Sequence, residues 1–167
     1  QLEPRDRAQV RRIVATTLRR LGEIDALLKA RLNRPISSRH TRIRNILRIG
    51  IAELVFLETP PHAAVDASVR VSAQHRNGAL KGLVNAILRR VVRDQSGEGT
   101  LPHPDTPGEA NTPNWLFARW NTNFGLETAE AIAASHLVEA PLDITLSRKV
   151  DPTDWASQLE AEILPSG

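Results

Sequence analysis

"KGLVNAILRRVVRD", Lys81 to Asp94, carries two different surfaces on one winding. At 100° per residue Leu80, Leu83, Val84, Ile87, Leu88 and Val91 fall on one stripe, while Lys81, Asn85, Arg89 and Arg93 climb the opposite side at four-residue steps. Such a stripe belongs to a helix packed on other helices. Asn85 borders it and either faces solvent or bonds to a neighbouring helix or loop backbone; the second suits a polar side chain at a core margin.

Working outward, the preceding sequence repeats this pattern. Residues Arg7 to Leu21 place Val10, Ile13, Val14, Thr17, Leu18 and Leu21 on one stripe with Arg12 and Arg19 opposite, and Gly22 is the expected stop. Ile24 to Leu32 is a short amphipathic helix ended by Asn33 and Pro35. Arg39 to Leu57, with Ser37 or Ser38 as N-cap, is apolar around most of its circumference and is expected to be the most buried element. Its polar strip holds Thr41, Arg44 and Arg48. Pro60 and Pro61 set an extended approach and a helix start, followed by the small-residue helix "HAAVDASVRVSAQ" and the turn "HRNGALKG". No segment before Asp94 alternates at period two, so this half is expected to be all-α.

Residues 95–113 are rich in Gly, Pro, Ser, Thr and acid and read as a linker or surface loop. Beyond it, "NWLFARWNTNFG" and "LETAEAIAASHLV" are helical, "LDITL" alternates as a strand through Leu142, Ile144 and Leu146, and Asp151 to Glu162 starts a helix capped by Thr153 or Asp154. The expected organisation is a helical domain at 1–94, a linker at 95–113 and a short, incomplete α/β module at 114–167. The chain starts at Gln1 without methionine, as expected of a piece of a longer protein.

A chain of 167 residues, 41% hydrophobic, supports one ordinary core and at most a small second one. No stretch is apolar for the ~18 residues of a membrane span and no signal peptide is legible, so a cytoplasmic location without membrane contact is expected. The absence of cysteine excludes disulfides, zinc thiolates and cysteine nucleophiles. Residues 1–94 hold 19 Lys/Arg against 8 Asp/Glu, whereas residues 95–167 hold 3 against 11, which leaves the net +3. Such asymmetry implies two modules and a polyanionic partner for the first. The candidate phosphate contacts are Arg12, Arg19, Arg44, Arg48, Lys81, Arg89, Arg90 and Arg93, because cations at i, i+4 steps on rigid helices match a phosphate backbone. The competing reading is a solvated, arginine-rich exterior.

Phe56 is the sole aromatic of the basic half, so base stacking is not expected there. Trp115, Trp120 and Phe124 are expected to pack in a core. The five histidines are scattered without ligand spacing, no metal site is expected, and His62 is read as structural at a helix start. No cofactor loop, P-loop or nucleophile elbow is present, so this chain alone should be non-catalytic.

"RNILRIGIAELVFLETPPHAAVDASVRVSAQ", "KGLVNAILRRVVRD" and the tryptophan block beginning "NTPNWLFARW" together resemble the N-terminal region of the RsmB/Sun/Fmu family, from about Asp6 to the end. These are bacterial S-adenosylmethionine-dependent methyltransferases that make 5-methylcytosine in 16S ribosomal RNA. The resemblance implies a NusB-like, RNA-binding helical bundle followed by the start of an α/β linker domain, a 16S rRNA partner, and a catalytic domain of the same protein that binds S-adenosylmethionine. That domain's Gly-rich loop and two catalytic cysteines are not in this sequence. A monomer is expected. Two other classes stay open: a free-standing NusB-type transcription antitermination factor, which should end near Asp94, and a protein-interaction domain whose basic face docks an acidic surface.

Overall fold

The computed structural model describes residues 2–74, 78–140, 142–147 and 150–164, and among them every regular element is helical. The elements are α1 (Pro4–Arg19), α2 (Leu21–Lys29), α3 (Thr41–Val55) after a 3-10 turn at Ser38–His40, α4 (Pro61–Ala73), α5 (Lys81–Gln95), the single turn α6 (Pro107–Ala110), α7 (Asn114–Phe124), α8 (Leu126–Ser135) and α9 (Pro152–Leu159). The class is all-α. Part of the turn before Lys81, His75 to Asn77, lies outside the described residues.

α3 is the hub, touching α1, α2, α4 and α5. Its Ile43, Leu47 and Ile51 are completely buried, and α2 (Ile24, Leu27) and α5 (Val84, Leu88, Val91) close the same core. Each such side chain contributes roughly 1.5–3 kcal/mol of burial. α4 contributes small residues, Ala64, Ser68 and Ser72, which let it lie close. At Gly50 any added Cβ would stand 2.8 Å from both Leu88 Cδ1 and Ser68 Oγ, so α3, α4 and α5 meet where one helix has no side chain.

Several sequence expectations are corrected. Gly22 does not stop α1: the chain breaks at Arg20 (φ −106°, ψ 20°) and Gly22 sits in the first turn of α2. It is glycine there because a Cβ would overlap the carbonyl oxygen of Ala110. The apolar stripe of α1 is wound as expected but largely uncovered, with Val10, Val14 and Leu18 exposed; only Thr17 is buried, and its Oγ1 donates to the Ile13 carbonyl. Neither Ser37 nor Ser38 caps α3 with its side chain; instead Thr41 Oγ1 donates to the Ser38 carbonyl (2.6 Å).

α6 docks on the bundle through Asn111. Its Oδ1 accepts from the backbone N–H groups of Gly22 (2.8 Å) and Glu23 (3.1 Å), capping α2 from 88 residues away, and its Nδ2 donates to Glu23 Oε2. A second, small cluster is Phe117, Ala129 and Ala133 with half-buried Trp120, which meets His136 edge-on at 5.3 Å. Trp115 (68% exposed) and Phe124 (58%) stay outside it, contrary to the core role expected of them. The strand expected at Leu142 to Leu146 is absent: this stretch is irregular, Leu142 and Ile144 are exposed, and no neighbouring strand among the described residues offers hydrogen bonds. α9 is capped by Asp151, whose Oδ1 accepts from the Thr153 N–H, rather than by Thr153 or Asp154. No described helix is long and apolar enough to cross a membrane.

Candidate functional site

The rotation of α5 is fixed by burial of Val84, Ile87, Leu88 and Val91, and this throws Lys81, Arg89, Arg90 and Arg93 to the exposed side. Arg90 and Arg93, one turn apart, form a wall of a cleft of about 550 Å³. Its other walls are the residues after α2, Ala30 and Arg31, and the loop from Glu98 to Pro102.

Arg31 is the buried member, with its side chain 2% exposed. Its Nη1 donates to the Leu27 carbonyl (2.9 Å), closing the C-terminus of α2, and its Nη2 donates to Asp94 Oδ2. The ion pair thus ties α2 to α5, and Arg31 Nε is buried without a hydrogen-bond partner. The loop passes so close that a Cβ at Gly99 would overlap Asp94 Oδ1, so any side chain there would have to displace that carboxylate. The side chains of Arg90 and Arg93 make no hydrogen bond or ion pair among the described residues.

The eight expected cations have different surroundings. Arg44 is half-buried and donates from Nη2 to the Ile36 carbonyl (2.6 Å). Arg48 grips Asp25 with both Nε and Nη2 at 2.7 Å, and that carboxylate raises its pKa above the ordinary arginine value. These two hold α3 to the loop before it and to α2. Arg89 bonds along its own helix to Asn85 Oδ1 (3.0 Å), so the Asn85 bond is to an arginine one turn on rather than to another element's backbone. Lys81 and Arg12 are exposed and have no partner among the described residues. Arg19 is half-buried and lines a different, smaller cleft of about 140 Å³ with Leu18, Asn111, Leu116 and His136.

Arg31 and Asp94 were not singled out in the sequence. A charged residue is buried only when paired, but nothing local joins two residues 63 apart. Arg20, which bonds Glu23 (3.0 Å) and lies 5.3 Å from the Phe56 ring centre, was missed likewise. His62, expected to satisfy a backbone group, is exposed at the start of α4. No group of three His, Asp or Glu among the described residues is placed to hold a metal.

The helical bundle closed around α3 falls in an established class: the chain belongs to the NusB family, which it matches over residues 1–93. More particularly, it is 34% identical over 158 residues to ribosomal RNA small subunit methyltransferase B of Xanthomonas campestris, covering 94% of this chain and 34% of that protein. The proteins of the same name from Xylella fastidiosa (34% identity, 98% of this chain, 38% of the relative) and Vibrio cholerae (26%, 81%, 31%) are similar as well. These matches bear out the resemblance to the RsmB/Sun/Fmu family, and the chain spans about a third of the length of the relatives.

The described residues do not suit S-adenosylmethionine. They contain no strand, Gly-rich turn and helix in succession, and the larger cleft has no aromatic side chain to stack on an adenine ring.

Proposed function

We propose that this chain is the RNA-binding region of an S-adenosylmethionine-dependent methyltransferase that modifies cytosine at position 5 in 16S ribosomal RNA. The observation that carries this reading is the extent of the similarity. It runs over 94–98% of the chain in relatives named for small-subunit rRNA methylation, well past the NusB-matching residues. A free-standing antitermination factor needs nothing equivalent to α7–α9. The exposed arginines of α5, with Arg12 on α1, fit phosphate contact, whereas Arg44 and Arg48 support the bundle.

In this reading residues 1–94 engage RNA, residues 95–113 form the connection, and residues 114–167 lead to a catalytic domain of the same protein. That domain binds S-adenosylmethionine and transfers the methyl group, and the whole works as a cytoplasmic monomer. This chain's share of the reaction is to hold the substrate through its backbone.

Filter binding of the chain to a 16S rRNA helix and to an unrelated RNA duplex, at two salt concentrations, tests it. With three phosphate contacts, a fourfold rise in salt should weaken binding about 40-fold. Binding that ignores salt would favour the protein-interaction reading instead.

A further inference from the structure

The larger cleft holds an unusual set of groups for a surface designed only to attract phosphate. Three guanidinium groups line it, but Glu98 stands in the same lining, exposed and without a side-chain partner among the described residues. Asp94 does not count against an incoming anion, because Arg31 engages its carboxylate and the Gly99 backbone crowds it. What remains free is a cationic pair, Arg90 and Arg93, a single carboxylate, and a buried Arg31 donor, Nε, that lacks an acceptor. A buried donor left unsatisfied is uncommon in a folded protein and calls for an explanation.

The volume, about 550 Å³, lies in the range of small-ligand clefts and exceeds what one phosphate group needs. No aromatic side chain lines it, so a base has no stacking platform. A ligand that satisfies this set carries an anionic end for the arginines and a neutral hydrogen-bond donor for the carboxylate. The sugar-phosphate unit of RNA carries both, and its 2′-hydroxyl is the donor that DNA lacks.

We propose that this cleft seats one sugar-phosphate unit of single-stranded RNA, the phosphate between Arg90 and Arg93 above the Arg31 floor and the ribose hydroxyl donating to Glu98. The proposal rests on the RNA-binding reading and adds to it a place and a reason for choosing RNA over DNA. Arg90 and Arg93, spaced i, i+3 on a rigid helix, close on one phosphate as a pair of planar forks. The base points away and is not read.

The test measures binding of the whole chain to RNA and DNA single strands of the same sequence across a salt series. Wild type should prefer RNA. Replacing both Arg90→Ala and Arg93→Ala should lower RNA affinity about tenfold and flatten the slope of log K against log salt by about 1.4, two contacts' worth for a single strand. Its melting temperature should match wild type, since neither side chain bonds to the protein. The pair Arg90→Lys and Arg93→Lys should restore the slope and only part of the affinity. Glu98→Ala should bring the RNA-to-DNA ratio close to one. The cleft proposal fails, with the RNA reading intact, if wild type binds RNA and the double alanine variant binds equally well. It also fails if Glu98→Ala tightens RNA and DNA binding by the same factor, as simple removal of charge would. Absence of salt-sensitive RNA binding by wild type would overturn both readings.

Discussion

The bundle formed by α1–α5 and the segment from Asn114 onward are both helical, yet they differ in what their apolar residues do. In the bundle, Ile24, Ile43, Leu47, Ile51, Val84, Leu88 and Val91 have no exposure at all. In the later segment the fully buried residues are two alanines, Ala129 and Ala133, while Trp115, Phe124, Leu126 and Leu142 face out. α1 sits between these cases, helical and anchored on α3 but with Val10, Val14 and Leu18 uncovered. The lesson is that periodicity reports the winding of a segment, whereas burial also needs a partner of matching face. Only the bundle supplies enough such partners to hold side chains rigidly, and it is the bundle that positions the cleft.

The largest expected effect separates the two regions directly. Leu88→Ala should cost about 2–5 kcal/mol of bundle stability, because it empties a site where α5 packs on α3 and α4. Phe117→Ala should cost only about 1–2 kcal/mol, since its cluster is small and can relax around the loss. Chemical denaturation followed by circular dichroism measures both. Equal costs would mean that the second cluster is as tightly built as the first.

Next in size is the buried pair at the floor of the cleft. Arg31→Ala should lower stability by about 3 kcal/mol by leaving the Asp94 carboxylate enclosed and unpaired. Replacing Arg31 with Met and Asp94 with Leu together should recover most of that loss. If the single variant is neutral, the pair does not tie α2 to α5.

The smallest effect concerns pH. Burial raises the Glu53 carboxyl above the ordinary glutamate value, so the folded state binds that proton more tightly than the unfolded chain does. Stability associated with it is therefore present at low pH and lost as pH rises through the folded value. Glu53→Gln should match wild type in acid and be slightly more stable at pH 7, as urea titrations at the two pH values would reveal. Arg48 contributes no pH dependence in this range, because its raised pKa lies far above neutrality.

These contrasts also explain what could be read from sequence. The α5 stripe and the apolar circumference of α3 are local patterns, and both emerge in the structure at the expected positions. The proline signal before α4 is equally local and marks the first helical residue, Pro61. Burial of Arg31 against Asp94 depends on where the ends of two helices meet, which no window of sequence contains. The same holds for Gly22, whose requirement comes from the approach of Ala110, and for the Asn111 cap on α2. Alternation in "LDITL" is a local pattern with no adjacent strand among the described residues to complete it. Among the cations, sequence spacing could not distinguish those spent on the scaffold, Arg44 and Arg48, from those left at the surface, Arg90 and Arg93.

Hydrogen–deuterium exchange of the chain with and without a single-stranded 16S rRNA segment measures most directly whether the bundle's leftover arginines contact RNA. Slowed exchange is expected in the last turns of α5 and in the loop from Glu98 to Pro102, with α7–α9 unchanged. Slowing confined to residues 114–164, or none anywhere at saturating RNA, would contradict it.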